Sequence, residues 1–197
     1  MEIEEYKTLL DTEIRSLSSI PLKEVQLFVD IIADRENRTS TRIITSGIGK
    51  AGQIAHTLAT TFSSTGTPSF FLHPTEAQHG DLGVMCRGDI LIVFSNSGKT
   101  REVCELINLT RNLHFGICIL SITGDAESPI AKNSDYNLTF GPVSEICPLG
   151  LTPTTSTTCM SVICDLIVVG VMKKIGFTLA EYNKTHHAGY LGAKSKS

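Results

Sequence analysis

Between residues 42 and 175 the chain alternates short apolar runs, each ending in a turn rich in glycine or serine, with longer segments of helical spacing. Runs that are apolar on both faces predict strands of a parallel sheet that is covered by helices on both sides. The predicted strands are 42–45, 69–72, 89–94, 116–122 and 136–140. The alternation therefore predicts an α/β protein, a three-layer α-β-α sandwich with a five-stranded parallel sheet.

Helical spacing fills the segments between and around these runs. Residues 2–38 predict two helices that meet near Pro21, a residue that suits the first turn of the second helix. Further helices are predicted at 51–64, 100–113, 128–132, 154–175 and 178–182. No repeat or linker divides the chain, so we expect one domain. The domain proper is predicted at 41–192. Residues 1–40 are predicted to form helices that pack on it, and residues 193–197 a frayed tail.

Composition restricts the partners that this chain can have. Its 197 residues carry a net charge of −3, so no basic field attracts nucleic acid. Six cysteines without a CxxC pair are typical of a reducing compartment, which predicts a cytoplasmic location. No signal peptide is visible, and the longest apolar run, 159–172, is shorter than the roughly 20 residues of a membrane span. We expect a soluble protein whose partners are small molecules or other protein chains.

The first candidate anion site is the turn 45–52, which directly follows a predicted strand. Gly47, Gly49 and Gly52 fit the GxGxxG pattern of dinucleotide-binding proteins. That pattern also requires an acidic residue at the end of the next strand, where this chain has His73. The turn is therefore better evidence for a small anion held by backbone N–H groups and by Lys50 than for NAD.

Two more turns have the same character. Residues 95–100, Ser-Asn-Ser-Gly-Lys-Thr, imitate the end of a P-loop but have Val93 where a P-loop has glycine. Residues 154–158 are five consecutive hydroxyl side chains, of which a helix N-cap needs one. Taken alone, each turn is as easily structural as functional. Because ligands of open α/β sheets bind beyond the carboxyl ends of the strands, the three together predict a phosphate site there.

These turns, with HPxEAxHGDLG at 73–83 and CPLGLxPTTSTT at 147–158, resemble the sugar isomerase (SIS) domain family, and most narrowly its arabinose 5-phosphate isomerases. The resemblance covers about 41–192 and implies a flavodoxin-like sheet. It also implies a homo-oligomer, usually a tetramer, in which neighbouring subunits share active sites. The implied reaction interconverts D-ribulose 5-phosphate and D-arabinose 5-phosphate for the Kdo of lipopolysaccharide or capsule.

The same resemblance implies the site residues. The catalytic candidates are Lys50, Glu102, Glu145 and His186. The substrate-binding candidates are Ser46, Gly47, Gly66, Thr67, His73, His79, Ser95, Asn96, Ser97, Thr100, Thr154, Ser156 and Thr157. No cofactor is required, although His73 is a candidate ligand for a divalent metal such as zinc, which family members bind.

Three departures from the family pattern stand out. Lys99 occupies a position after SNSG that is usually acidic. The terminal HPGGxLG motif reads His-His-Ala-Gly-Tyr-Leu-Gly at 186–192, so His187 is an alternative to His186. The pair of CBS domains that typical members carry is not expected here, and nucleotide regulation located in such a pair is not expected either.

The chemistry of aldose–ketose isomerisation suggests a role for each catalytic candidate. A proton moves between C1 and C2 through a cis-enediol(ate), which requires a base, charge stabilisation at the oxygens and a grip on the phosphate. Glu145 is the only charged residue of 141–158, so we expect a shielded carboxylate with a raised pKa that acts as the base. His186 would be its acid–base partner at the oxygens, and Lys50 would stabilise the enediolate. Glu102 would orient Lys50 or share the proton transfer.

Structural interpretations of the same residues remain open. Lys50 could neutralise the phosphate, Glu102 could be a solvated helix carboxylate, and His186 could cap a helix C-terminus. Two alternative functions also remain: a non-catalytic SIS module that senses sugar phosphates, and another SIS isomerase such as a 6-phospho-3-hexuloisomerase. Against the first, no basic segment predicts the DNA-binding helices that such regulators carry.

Overall fold

A computed structural model describes residues 2–34, 41–188 and 190. Its centre is one sheet in the order β2-β1-β3-β4-β5, in which every pair of neighbours is parallel. The strands are β1 Ile43–Gly47, β2 Ser69–Phe71, β3 Ile90–Ser95, β4 Cys118–Thr123 and β5 Tyr136–Thr139. The predicted five-stranded parallel sheet is confirmed, and each strand lies within about two residues of its predicted position.

Eight helices are present in the described residues, and together they form the outer layers. They are α1 Ile3–Ser18, α2 Leu22–Ala33, α3 Gly49–Ser64, α4 Pro74–Ala77, α5 Arg101–Asn112, α6 Pro129–Asn133, α7 Thr155–Lys174 and α8 Leu179–Thr185. A 3₁₀ turn follows α4 at Asp81–Val84.

The N-terminal helices and α4 differ in detail from the prediction. Pro21 is the N-cap that precedes α2 and not a residue of its first turn. Helix α2 ends at Ala33, and the predicted extension to residue 38 lies outside the described residues except for Asp34, as does the frayed tail. Helix α4 was not predicted because its four residues are too few to show a helical period.

Two hydrophobic cores lie on opposite faces of the sheet. Alternate side chains of β3 point to the two faces: Ile90, Ile92 and Phe94 join one core, and Leu91 and Val93 join the other. The first core includes residues of α2, α3 and α7, and the second includes residues of α5. Both faces of the sheet are therefore buried, which explains why the strands read as uninterrupted apolar runs.

Helix α7 is the longest of the described helices, and its bounds agree with the helix predicted at 154–175. Its 20 residues make it the one helix in the described part that could cross a membrane, judged by length and composition alone. Half of its most apolar stretch is buried inside the protein, as in a core helix. Its side chains Cys159, Ile163 and Ile167 are 0% exposed, and they pack in the first core.

Candidate functional site

The order of the strands creates a crevice at the carboxyl edge of the sheet. From β1 the chain crosses to β2 on one side, whereas β3 leads on to β4 and β5 on the other. The turns after β1 and β3 therefore diverge above adjacent strands, which is where open parallel sheets bind ligands. Both turns were predicted anion sites.

The turn after β1 is tightened by two glycines. A Cβ atom on Gly52 would lie 2.6 Å from the carbonyl oxygen of Gly47, so glycine is required for this close approach. Lys50 follows on the first turn of α3 and is exposed to solvent at the crevice. Ser46 does not contribute its hydroxyl to this surface, because the side chain is 0% exposed and its Oγ donates to the carbonyl of Leu72 at 2.6 Å. A substrate contact of Ser46 would therefore have to come from its backbone and not from its hydroxyl.

The turn after β3 collects hydroxyl and N–H groups at the N-terminus of α5. Ser95 Oγ and Thr100 Oγ1 are 2.8 Å apart, and Gly98 N donates to Ser95 Oγ at 3.1 Å. Asn96 and Ser97 are exposed, while Glu102 is half-buried on the first turn of α5. A 12-residue helix beginning here adds the positive end of its dipole, so the turn is suited to an anion.

Lys99, the departure from the family pattern, pairs with an acidic residue of the next turn. Its Nζ lies 3.8 Å from a carboxylate oxygen of Asp125, which follows β4. The two side chains are 66% and 40% exposed, so the pair contributes little to stability. The positive charge that Lys99 adds to the turn is therefore partly neutralised by the carboxylate of Asp125.

The N-terminus of α7 already holds a carboxylate, that of Glu145. Its Oε2 accepts hydrogen bonds from Thr154 N at 2.6 Å, Thr154 Oγ1 at 2.8 Å and Ser156 N at 3.3 Å. Burial raises the pKa of this carboxyl, but the donors of Ser156 and Thr154 lower the pKa by more, so it lies below its ordinary value. The expectation of a raised pKa was wrong, because a shielded carboxylate in an uncharged segment was assumed to lack donors.

Most hydroxyls of the 154–158 cluster are engaged within the chain. Thr157 Oγ1 and Thr158 Oγ1 both donate to the carbonyl of Thr154, and Thr155 Oγ1 donates to Glu13 Oε1 at 2.8 Å. Ser156 Oγ is buried and has no hydrogen-bond partner in the described part of the chain. The prediction that five hydroxyls require a polar ligand was therefore too strong.

The role of Glu145 at the helix N-terminus could not be recognised from spacing. A capping box places its acidic residue three positions after the N-cap, whereas Glu145 lies nine positions before Thr154. Only the loop that follows β5 brings the two together.

Helix α7 begins at the same edge as the other two turns. It packs beside α3, where Ile54 and Leu58 meet Cys164 and Val168 across a small cavity. At the far ends of the two helices, the ring of Phe177 contacts Gly66. The helices therefore run in the same direction, and Lys50, Glu102 and Glu145 all lie at the carboxyl edge.

His186 lies at the opposite edge. It is the C-cap of α8, its Nδ1 is 3.1 Å from the carbonyl of Tyr182, and its ring stacks on that of Tyr182 at 3.7 Å. Thr185 Oγ1 donates to the carbonyl of Ser64, the last residue of α3. Since Lys50 is 14 residues earlier on that helix, the two ends are about 21 Å apart at 1.5 Å per residue.

Gly66 and Thr67 are also at this opposite edge, since they lie three and two positions before the first residue of β2. Gly66 has φ +84°, and a Cβ atom there would meet the Phe177 ring at 2.7 Å. Thr67 is buried, and no hydrogen-bond partner of its hydroxyl is found among the described residues. Within one chain, these two residues do not join the three turns as substrate contacts. The rule that ligands bind beyond the carboxyl ends of the strands applies to residues that follow a strand, whereas Gly66 and Thr67 precede one.

His73 and His79 flank the short helix α4, after β2. His73 is its N-cap, and Nδ1 accepts a hydrogen bond from Thr75 N at 3.3 Å. Both histidines are exposed. Because Nδ1 accepts this hydrogen bond, Nε2 is the ring nitrogen of His73 that is left to contact another group.

The described residues of one chain do not bring together a set of side chains that could hold a divalent metal by themselves. Over residues 2–34, 41–188 and 190, no group of three or more His, Cys, Asp or Glu side chains could hold a metal ion. His73, the candidate ligand, already uses Nδ1 as a helix cap. No catalytic step is therefore assigned to a metal.

The doubly wound sheet, with turns rich in N–H and hydroxyl groups at its carboxyl edge, defines an α/β domain of the kind that binds ligands at a topological switch point. The family model of the SIS domain matches residues 38–170. The chain belongs to the SIS domain family.

Curated relatives share this domain over part of their length. The arabinose 5-phosphate isomerase KdsD of Pseudomonas aeruginosa is 42% identical over 153 residues, which are 78% of this chain and 46% of the relative. KdsD of Salmonella typhi is 38% identical over 188 residues, 95% of this chain and 56% of the relative. The chain thus spans about half the length of the curated relatives it matches.

The similar solved structures include two that match over almost the whole of both chains. A Bacteroides fragilis protein described as a phosphosugar isomerase involved in capsule formation is 50% identical, with a TM-score of 0.91, and 95% of this chain and 98% of that one are covered. An Escherichia coli protein in complex with arabinose 5-phosphate is 33% identical, with a TM-score of 0.84 and coverage of 93% and 96%.

Proposed function

We propose that this chain is an aldose–ketose isomerase that interconverts D-ribulose 5-phosphate and D-arabinose 5-phosphate. The observation that carries the proposal is the convergence of Lys50, Glu102 and Glu145 on one sheet edge, each on a turn or helix start rich in N–H and hydroxyl donors. The names of the KdsD relatives and the structural neighbour that holds arabinose 5-phosphate support the same substrate.

In the proposed mechanism the turn after β3 holds the phosphate. The exposed side chains of Asn96 and Ser97, the half-buried hydroxyl of Thr100 and the N-terminus of α5 are the donors that this turn offers. Gly98 N and the buried Ser95 hydroxyl bond each other and hold the turn in shape. Anchoring the phosphate restricts the open sugar chain to the crevice, where C1 and C2 extend toward the other two turns. Lys50, exposed at the crevice, is suited to stabilise negative charge on the enediolate oxygens.

Glu145 is proposed as the base, although it acts with a lowered pKa. Its three hydrogen bonds all fall on Oε2, so Oε1 is the oxygen that would take the proton from C1 or C2. A lowered pKa keeps the carboxylate ionised at neutral pH, the form that a base needs, but weakens its affinity for the proton. Binding a phosphate dianion nearby would raise the pKa of Glu145 again, since like charges disfavour its ionised form.

The acid–base partner is proposed to come from a second copy of the chain. Lys50 and His186 lie at opposite ends of α3, about 21 Å apart, so one chain cannot place both on one five-carbon sugar. A shared site, in a homo-oligomer that we propose to be a tetramer, would bring His186, Gly66 and Thr67 of one subunit to the turns of its neighbour. If Nδ1–H of His186 donates to Tyr182, Nε2 is left to accept and return the proton.

We further propose that the enzyme works in the cytoplasm and that its product enters Kdo synthesis for lipopolysaccharide or capsule. The reducing-type cysteine usage supports the location: the free cysteines of the described residues include Cys86, Cys104 and Cys147. The capsule-related name of the Bacteroides fragilis neighbour supports the pathway class.

Incubation of the protein with ribulose 5-phosphate tests the activity. We expect arabinose 5-phosphate as the product, detected by ¹³C NMR, and incorporation of solvent deuterium at C2 of the aldose. Lys50→Met should abolish turnover, whereas Lys132→Met, which removes an exposed lysine paired with Glu127, should not.

Two other outcomes would contradict the proposal. Turnover of 3-hexulose 6-phosphate in place of the pentose phosphate would indicate a different SIS isomerase. Saturable binding of arabinose 5-phosphate, with no exchange of the C2 hydrogen, would indicate a sugar-phosphate sensor.

A further inference from the structure

A second carboxylate reaches the first turn of α7, and it comes from outside the region that the SIS model matches. Glu13 on α1 accepts a hydrogen bond from Thr155 Oγ1 at 2.8 Å. Thr155 is 0% exposed and lies between Thr154 and Ser156, the two residues whose N–H groups hold Glu145. Glu13 and Glu145 therefore bind the same turn through consecutive residues.

The Glu13 carboxylate is not fully satisfied by these contacts. Its other oxygen, Oε2, is buried and has no hydrogen-bond partner within the described ranges. A buried carboxylate oxygen without a partner costs free energy, and such costs are typical of positions kept for function and not for stability alone. The charges of Glu13 and Glu145 also both act on Cys159, one turn further along α7, so the two carboxylates approach the same helix start.

The packing of α1 does not by itself explain why its Glu13 contact is buried. Helix α1 has no fully buried residue, and Ile3, Tyr6 and Leu10 on it are 75%, 57% and 59% exposed. Apolar burial thus holds this helix only weakly against α7. The link between Glu13 and Thr155 is the polar contact that ties the two helices at the site.

We propose that Glu13 is a positioning residue for the isomerase site: by holding Thr155, it keeps the first turn of α7 oriented so that the N–H groups of Thr154 and Ser156 remain aimed at Glu145. This inference rests on the function proposed above, in which Glu145 is the base. It adds a residue of the N-terminal helix to the machinery of the site. Glu13 itself need not touch the substrate, since it acts through Thr155.

Steady-state kinetics of variants test the inference. Misplacing a catalytic group by about 1 Å can cost about a hundredfold in rate, so Glu13→Ala and Thr155→Val should each lower kcat by roughly tenfold or more while KM changes less than about threefold. The double variant should be no worse than the poorer single variant, because both changes break the same contact.

Glu13→Gln and Thr155→Ser keep an acceptor and a donor, and they should retain kcat within about threefold of the original chain. Asp11→Ala, an exposed carboxylate on the same helix, is the matched control.

Amide hydrogen exchange supplies a readout that does not require turnover. In Glu13→Ala the amides of Thr154 and Ser156 should exchange at least about tenfold faster than in the original chain, with no such change in Asp11→Ala or Glu13→Gln. An original chain without isomerase activity would overturn the proposed function and leave this readout in place. Unchanged exchange and unchanged kcat in Glu13→Ala would overturn the positioning role, as would a kcat loss in Glu13→Gln equal to that in Glu13→Ala.

Discussion

Glu145 shows how the donors around one side chain decide its chemistry. The residue was expected to behave as a shielded carboxylate with a raised pKa, but three hydrogen bonds from the start of α7 hold its pKa below the ordinary value. The favourable interaction of a carboxylate with a helix N-terminus accounts for this direction. A base at this position is therefore ionised and ordered before the substrate arrives.

The lowered pKa of Glu145 predicts how stability depends on pH. Because its pKa is lower in the folded chain than in the unfolded chain, the ionised carboxylate stabilises the fold above about pH 4.3, and this contribution is lost as the pH falls through the lower folded value. The original chain should be more stable than Glu145→Gln near neutral pH, and the gap should shrink as the medium becomes more acidic. Urea unfolding at a series of pH values measures it.

Glu127→Gln is the control for this comparison, since its carboxylate is 83% exposed. A gap between the original chain and Glu145→Gln that stays constant from neutral pH to acid would contradict the assigned pKa direction.

The cysteines should differ in their reaction with iodoacetamide. Cys147 Sγ accepts hydrogen bonds from Leu151 N at 3.2 Å and Thr152 N at 3.1 Å; although burial raises its pKa, these donors lower the pKa by more. Burial, with the charges of Glu13 and Glu145, raises the pKa of Cys159 to about 11. Thiolate is the reactive form, so Cys147 should be alkylated at least roughly tenfold faster than Cys159 at neutral pH.

Mass spectrometry of time points resolves the two sites, and urea-unfolded protein provides the reference in which they should react alike. Equal rates in the folded protein would show that the N–H groups around Cys147 do not stabilise its thiolate.

At the scale of elements, the turn after β3 depends on one glycine. Gly98 has φ +61°, and a Cβ atom there would overlap the side chain of Ser128, which caps α6. Gly98→Ala should therefore combine left-handed strain with a steric clash and lower the free energy of unfolding by about 2–4 kcal/mol. It should also weaken the binding of arabinose 5-phosphate, because Gly98 N bonds Ser95 and so fixes the turn that presents the exposed Asn96 and Ser97.

Gly116→Ala separates strain from the clash. Gly116 has φ +65° and open space around the position of a Cβ atom, so its substitution should cost only about 1 kcal/mol and leave binding unchanged. Chemical denaturation and calorimetric titration provide both measurements. Equal losses in the two variants would show that contact with Ser128 is unimportant.

At the scale of the whole molecule, the division of the catalytic candidates between two edges predicts complementation. Lys50→Met and His186→Ala should each be inactive alone. If each site takes its lysine and histidine from different subunits, co-refolding equal amounts of the two variants should restore about a quarter of the original activity, since a quarter of random sites have both residues. Activity assays before and after co-refolding measure this.

A mixture that remains inactive, although light scattering shows the same assembly as for the original chain, would contradict a shared site. His187→Ala, at the alternative histidine of the terminal motif, is the matched control, and it should leave the activity of the unmixed protein nearly unchanged.

The amino-acid sequence by itself determined the fold class, because short apolar runs without alternation, separated by segments of helical spacing, indicate strands buried on both faces. It also located the turns around Lys50 and Ser95, since glycine and hydroxyl residues directly after a strand predict a turn from neighbouring residues alone. The tertiary structure alone decided the rest. The contacts of Glu145 with Thr154 and of Glu13 with Thr155 join residues 9 and 142 positions apart, and no local spacing encodes them. The separation of His186 from Lys50 likewise depends on the direction of α3 across the sheet, which only the packed helices establish.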